Sequence, residues 1–386
     1  MKLIIKKISI YIFGLLLIWI NFSFTNPLNE NEEDLNKSKT PDISYFGKEN
    51  ITDGPYIFIK NNIKVVKWIS KDRLKQKLIL GDNYKVIKRN FGFDFQPEWI
   101  DNLEESKPDY VQKYEGVENF IAISDIHGRY DILVKLLSKH HVIDKDFNWS
   151  YGNGHLIILG DILDRGTQVT ESLWLIFRLE QQAKQHGGKV HVLLGNHELM
   201  VLNNDSRYIH EKYIKSSELL FTTYSELFSE ETLFGKWLKQ KPVIVTINDI
   251  VFVHAGISTD FIKQGFTRTK TNKLFVENIV GKNWNEILAD SSLSFMMDKT
   301  GPLWYRGYWE KPVIMEYQVD HLLRYFEVNH IIVGHTSFPN IVSLYDGKIF
   351  GIDSNIKIGG EYGELLIYKN ESFYRGTADG SIKEFE

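Results

Sequence analysis

Five polar stretches, each directly after an apolar run, hold the residues with usable chemistry. They are Asp125-Ile126-His127, Gly160-Asp161-Ile162-Leu163-Asp164-Arg165-Gly166, Gly195-Asn196-His197-Glu198, Val253-His254-Ala255-Gly256 and Val333-Gly334-His335-Thr336. Asp125 and His127 are two apart, so at an extended strand end they fall on one side and can hold a cation. Asp161 closes the next strand and has two carboxylate oxygens with which to bridge two ions. Asn196, His254 and His335 end later strands and can complete the second ion. Oxygen and imidazole donors together suit zinc, iron or manganese better than calcium. Two such ions, roughly 3.5–4 Å apart, hold a hydroxide that attacks phosphorus in line, with no covalent enzyme intermediate.

The remaining groups in these stretches fit phosphate handling. The Arg165 guanidinium can grip two phosphoryl oxygens. His197 follows Asn196 and can protonate the leaving oxygen, with Asp164 orienting the imidazole and raising its pKa. Asp-x-His alone is commonplace and Gly-Asn-His-Glu only moderately specific. Gly-Asp-x-x-Asp-Arg-Gly is strong, and all five stretches in order leave little room for a purely structural explanation.

These residues need a scaffold that brings strand ends together. Apolar runs recur at Phe120–Ile123, Leu156–Leu159, Val190–Leu194, Ile250–Val253 and His330–Val333, with amphipathic stretches of helix length at Arg129–His140 and Gln168–Gln185. Short apolar strands alternating with helices predict a layered α/β fold, in which ligands sit at the carboxyl ends of the strands. Ahead of this region, Tyr56–Ile59 and Ile63–Ile69 flank Lys60-Asn61-Asn62, a predicted hairpin. The stretch from Leu199 to Lys241 is polar, aromatic and helical in pattern. It and the loop Trp304–Trp309 are expected to form a substrate rim, with Arg gripping phosphate and an aromatic such as Trp304 stacking on an aromatic leaving group.

The chain has 386 residues and a net charge of −4, so nothing electrostatic favours a nucleic-acid partner. It has no cysteine, which excludes disulfides, thiolate metal sites and a cysteine nucleophile. Lys2, Lys6 and Lys7 precede an apolar run from Ile8 to Ile20 and a small polar exit. This pattern predicts export, to the periplasm, the outside or a membrane anchor, because the run is short for a span of ~20 residues but lacks a clean cleavage site. The expected organisation is a signal peptide or anchor over 1–25, a flexible linker over 26–41, a small β-rich segment over 42–118 and the catalytic domain over 119–386.

At these motifs the chain resembles the calcineurin-like metallophosphoesterases. Glu198 resembles the phosphoprotein phosphatase branch. Glu198-Leu199-Met200 leading to Asp205-Ser206-Arg207-Tyr208, together with Gly301-Pro302-Leu303-Trp304-Tyr305-Arg306, is most similar to the Shewanella-like protein phosphatases. The resemblance implies a β-sandwich flanked by helices and a dinuclear site. One ion would be held by Asp125, His127 and Asp161, the other by Asp161, Asn196, His254 and His335. It implies Arg165 on phosphate, His197 paired with Asp164 as acid, and Arg207 and Arg306 as further substrate contacts, with surface salt bridges as their alternative. The expected activity is a two-metal phosphomonoesterase acting on phosphorylated proteins, peptides (phosphotyrosine or phosphoserine) or small phosphate esters. The alternatives are a dinucleoside polyphosphate hydrolase and a phosphate-binding surface module that does not turn over.

Overall fold

The computed structural model describes residues 50–385 apart from 82, 360 and 361. The expected export segment and linker lie outside the described residues. Among those described, no helix is long and apolar enough to cross a membrane.

The chain opens with three antiparallel strands, β1 (Asp53–Lys60), β2 (Ile63–Ser70) and β3 (Arg73–Ile79). Both connections are two-residue turns whose residues have positive φ: Asn61 (49°) and Asn62 (62°), then Lys71 (50°) and Asp72 (58°). Such turns match the twist of a hairpin. The rest of the segment is less β-rich than expected, since α1 (Lys85–Phe91) and α2 (Glu98–Glu105) follow. The segment is seated on a helix of the main body, α4 (Val169–Gln185). Trp174 Nε1 donates to the Pro55 carbonyl (2.9 Å), and Thr170 Oγ1 donates to the buried Asp53 carboxylate (2.8 Å).

The main body is built on β4 (Lys113–Tyr114), β5 (Asn119–Ile123), β6 (His155–Ile158), β7 (Lys189–Val192), β8 (Ile244–Ile247), β9 (Ile250–Val253), β10 (His330–Val333), β11 (Val342–Leu344), β12 (Ile349–Gly351), β13 (Glu364–Lys369), β14 (Ser372–Thr377) and β15 (Ile382–Glu384). One six-stranded sheet runs β15-β14-β13-β5-β6-β7 and the other β11-β12-β10-β9-β8-β4. Phe120, Ala122, Ile157 and Leu193 of the first share one core with Val245, Phe252, Ile332 and Phe350 of the second. Phe120 meets Phe252 edge-on at 5.3 Å. Ile121 and Ile123 are equally buried on the opposite face of β5, which explains why these strands read as unbroken apolar runs.

Strands β5, β6 and β7 are parallel, joined through α3 (Tyr130–Lys139) and α4. β9, β10 and β12 are likewise parallel. All five polar stretches therefore leave their strands in a common sense, at one edge of the sandwich. The expected α/β sandwich with flanking helices and a small N-terminal sheet is what forms. The stretch after β7 supplies α5 (Asn196–Leu202), α6 (Glu211–Leu219) and α7 (Leu233–Leu238).

Candidate metal centre and phosphate site

The residues that converge at this edge are not held by strand geometry. Asp125, His127, Asp161, Asp164, Arg165 and His335 all adopt left-handed backbone conformations, with φ between 45° and 67°. Asp125 and His127 thus share a side through two consecutive kinks beyond β5, a correction to the expected strand alternation. Asn196 is also no strand end, because it begins α5. The loops cross closely: a Cβ on Gly195 would fall 2.1 Å from Asp161 Oδ1, so only glycine admits that carboxylate.

Asp161 lies between two groups of imidazoles. Its Oδ2 is 3.5 Å from His127 Nε2 and 3.9 Å from His197 Nε2. Its Oδ1 is 3.4 Å from His254 Nε2, and Asp161, His254 and His335 form a second cluster of ligand atoms within 4.8 Å of one another. Asp125 Oδ1 is 4.0 Å from His127 Nε2, while its Oδ2 accepts from the His335 amide (2.9 Å) and Ser124 Oγ (2.5 Å). The structure therefore brings all six expected ligands together and places His197 at the edge of the first cluster.

The donor set fits two cations. The carbonyls of Leu163 (2.9 Å) and Leu159 (2.7 Å) accept from Nδ1 of His127 and His254. That leaves a lone pair on each Nε2. The His254 lone pair faces Asn196 Oδ1 at 2.9 Å and Asp161 Oδ1, an assembly of acceptors that a cation satisfies. Without one, charge is disfavoured at Asp161, His127 and His335. Burial, then Asp125 and Glu198, push the Asp161 carboxyl well above its usual range. Burial and then Arg165 push His127 down to about 3, and burial and then Arg306 push His335 well below the usual imidazole value.

His197 Nδ1 bonds Asp164 Oδ2 at 2.8 Å, and its Nε2 lies 3.2 Å from Arg165 Nη2. Burial drives Asp164 up and His197 down, so the pair is held without net charge separation. The Arg165 guanidinium stands over the Tyr208 ring (5.2 Å), which also packs on His197 (5.1 Å). Arg306 donates to the His335 carbonyl (3.3 Å) and Thr336 Oγ1 (3.4 Å), at the edge of the second cluster. Arg207 is more peripheral, gripping Asp205 through Nε and Nη2. Trp304 is buried, so it is not the stacking surface expected of it; Tyr208, half-buried beside His197 and Arg165, occupies that position.

Two further buried groups were given no role in the site by the sequence. Glu198 is buried beneath the Asp161 loop and accepts four backbone amides. Asp353, beyond β12, is fully buried, and burial and then Asp125 push its carboxyl up to about 7. The signal for Asp353 was present, since it too is a polar residue after an apolar run.

Residues 119–338, over half of the chain, match the calcineurin-like phosphoesterase family. The chain belongs to that family and, with its buried histidine and aspartate clusters, is a metal-dependent phosphoester hydrolase. Among solved structures it is similar to the cold-active protein-tyrosine phosphatase of a psychrophilic Shewanella species, at 38% identity, covering 87% of this chain and 100% of that one with a TM-score of 0.80. Shewanella-like protein phosphatase 1 of Plasmodium berghei is 28% identical over 273 residues, 66% of this chain and 72% of that protein. An uncharacterized Schizosaccharomyces pombe protein is 28% identical over 313 residues, 73% of this chain and 89% of its own length.

Proposed function

We propose that this chain is an exported two-metal phosphomonoesterase that acts on phosphorylated proteins or peptides, with phosphotyrosine among its substrates. The observation that carries it is the position of Asp161, one carboxylate oxygen toward His127 and the other toward His254, with Arg165 beside His197. The protein-tyrosine phosphatase named above and the Plasmodium phosphatase support the substrate class. Asp125, His127 and Asp161 would hold one ion, and Asp161, Asn196, His254 and His335 the other. Manganese, iron or zinc suits these donors. When bound, two such ions supply Lewis acidity and an activated water, so no covalent enzyme intermediate is required.

The chain's own groups do the rest. Arg165 binds phosphoryl oxygens. Asp164 fixes the His197 ring through Nδ1, so that once the ring is protonated its Nε2 can pass that proton to the leaving oxygen. Arrival of a phosphate dianion at Arg165 offsets one of the cations that hold the His197 pKa down. The basic start and short apolar run of residues 1–25 support export. Metal content and hydrolysis of phosphotyrosine, phosphoserine and dinucleoside tetraphosphate, measured on one purified sample, test this reading. About two ions per chain and turnover of phosphopeptides are expected. Turnover restricted to the dinucleotide, or full activity after chelator stripping, would reject it.

A further inference from the structure

We propose that Lys357 is a substrate-binding cation whose ammonium takes phosphoryl oxygens at the mouth of the histidine and aspartate clusters. This rests on the phosphomonoesterase reading above and adds a contact that the five polar stretches do not contain.

Lys357 lies in a single 3-10 turn, Ile356–Ile358, entered through Asn355 with φ 61°. The turn is tied on both sides to loops that carry candidate ligands. Before it, the buried Asp353 accepts from Ser337 Oγ and from the Asn355 amide (3.0 Å), and its carbonyl accepts from the Phe338 amide (2.9 Å). Ser337 and Phe338 lie two and three residues beyond His335. After it, Gly359 lies against Arg129, two residues beyond His127; a Cβ there would fall 1.7 Å from Arg129 Nη1. Ile356 is fully buried and anchors the turn from below.

This anchored turn puts a positive charge beside the clusters. Burial is the main cause of the low pKa of His127, His197 and His335, and the Lys357 charge adds to it at each of the three. The side chain is half-buried. Among the described residues its ammonium has no hydrogen-bond or ion-pair partner, whereas Arg207 is paired with Asp205. The Lys357 charge also acts on the buried Asp353 carboxyl, which it lowers, but among the described residues no carboxylate lies within bonding distance of the ammonium. A phosphate dianion bound at the clusters would supply that partner.

Lys357→Met and Lys357→Arg, compared with the wild-type metalloenzyme, test the assignment. Lys357→Met should raise KM for phosphate esters and the inhibition constant of inorganic phosphate together, by roughly tenfold, the loss of one charged contact. Turnover at saturation should change much less, Lys357→Arg should retain most of the affinity, and the melting temperature should stay level or rise. An unchanged phosphate inhibition constant in Lys357→Met would overturn the proposal. So would a KM increase confined to peptides with acidic flanks, because the lysine would then read the flank and not the phosphoryl group. Failure of the wild type to hydrolyse any phosphomonoester would instead strike the function on which the proposal rests.

Discussion

Glu198 is bound to Asp161 through the backbone and not through charge. Glu198 Oε2 accepts the Asp161 amide at 2.7 Å and the Gly195 amide at 2.8 Å, while Oε1 accepts the amides of Ile162 (2.8 Å) and Leu163 (3.0 Å). One side chain thus holds the two crossing loops that present Asp161 and Asn196. The side-chain amide of Glu198→Gln would face backbone donors with a donor. Loss of charged bonds and orphaned amides should cost about 2–4 kcal/mol. Urea unfolding and metal analysis check this; an unchanged urea midpoint would show that the loops hold themselves.

Asp161→Asn should separate stability from activity. In the metal-free protein it removes a buried charge repelled by Asp125 and Glu198, so the apo melting temperature should rise. The same change removes the shared ligand, so bound metal and nearly all turnover should be lost. Calorimetry of the stripped proteins beside metal analysis of the loaded ones reads both effects. A lower apo melting temperature would contradict the account of the buried carboxylate.

His197→Asn should retain metal and lose rate according to the leaving group. For alkyl phosphates the loss should approach the roughly 10²–10⁴-fold typical of a missing general acid. An activated aryl phosphate, which departs without a proton, should lose far less. Equal losses on both, or loss of metal, would place His197 among the ligands, where its 3.9 Å approach to Asp161 already brings it near.

Tyr208→Ala should weaken aryl phosphates more than alkyl ones, because this ring flanks both Arg165 and His197. Compared as kcat/KM ratios, a shift of roughly three- to tenfold is expected for one lost aromatic contact. A uniform loss would make Tyr208 a support for Arg165 alone.

Within the first sheet, His155 Nδ1 at the start of β6 and His191 Nε2 of β7 bond each other at 3.0 Å. Burial and then Lys189 push His155 down to about 4, against ~6.5 for an unfolded histidine. Between those values the unfolded chain binds the proton and the folded chain does not. Stability is therefore full above pH 6.5 and falls as pH drops toward 4. Unfolding midpoints over that range should fall less steeply for His155→Asn than for the wild type; parallel slopes would exclude this pair as a source of acid sensitivity.

How much was legible follows from where each residue lies in the layers. Phe120–Ile123 and Ile250–Val253 are buried on both faces, so their strands stand out as apolar runs followed by a polar break. β3 carries Arg73, Lys75, Gln76 and Lys77 at the edge of an exposed sheet, so no apolar period marks it. The left-handed kinks at Asp125 and His127 depend on crossing loops from elsewhere in the chain, and no local pattern encodes them. Trp304 was misplaced for a related reason: an aromatic beside Arg in sequence does not reveal which side faces solvent. Lys357 has no motif at all and becomes visible only when the turn is seen against the loops of His127 and His335.

The left-handed backbone at six site residues has a consequence for the history of such chains. A residue with a Cβ gives up about 1–2 kcal/mol in that conformation, and glycine recovers about half of it after its own entropic penalty of about 0.5–1 kcal/mol. Selection for folding alone would therefore drift these positions toward glycine, and only the need to turn over substrate keeps Asp, His and Arg in place. A copy of this gene freed from its task should first show glycine at Asp125, Asp161 or His335 while its core stays intact. Such a copy would be recognisable as a spent enzyme from its sequence, and it would outlast the active form on heating.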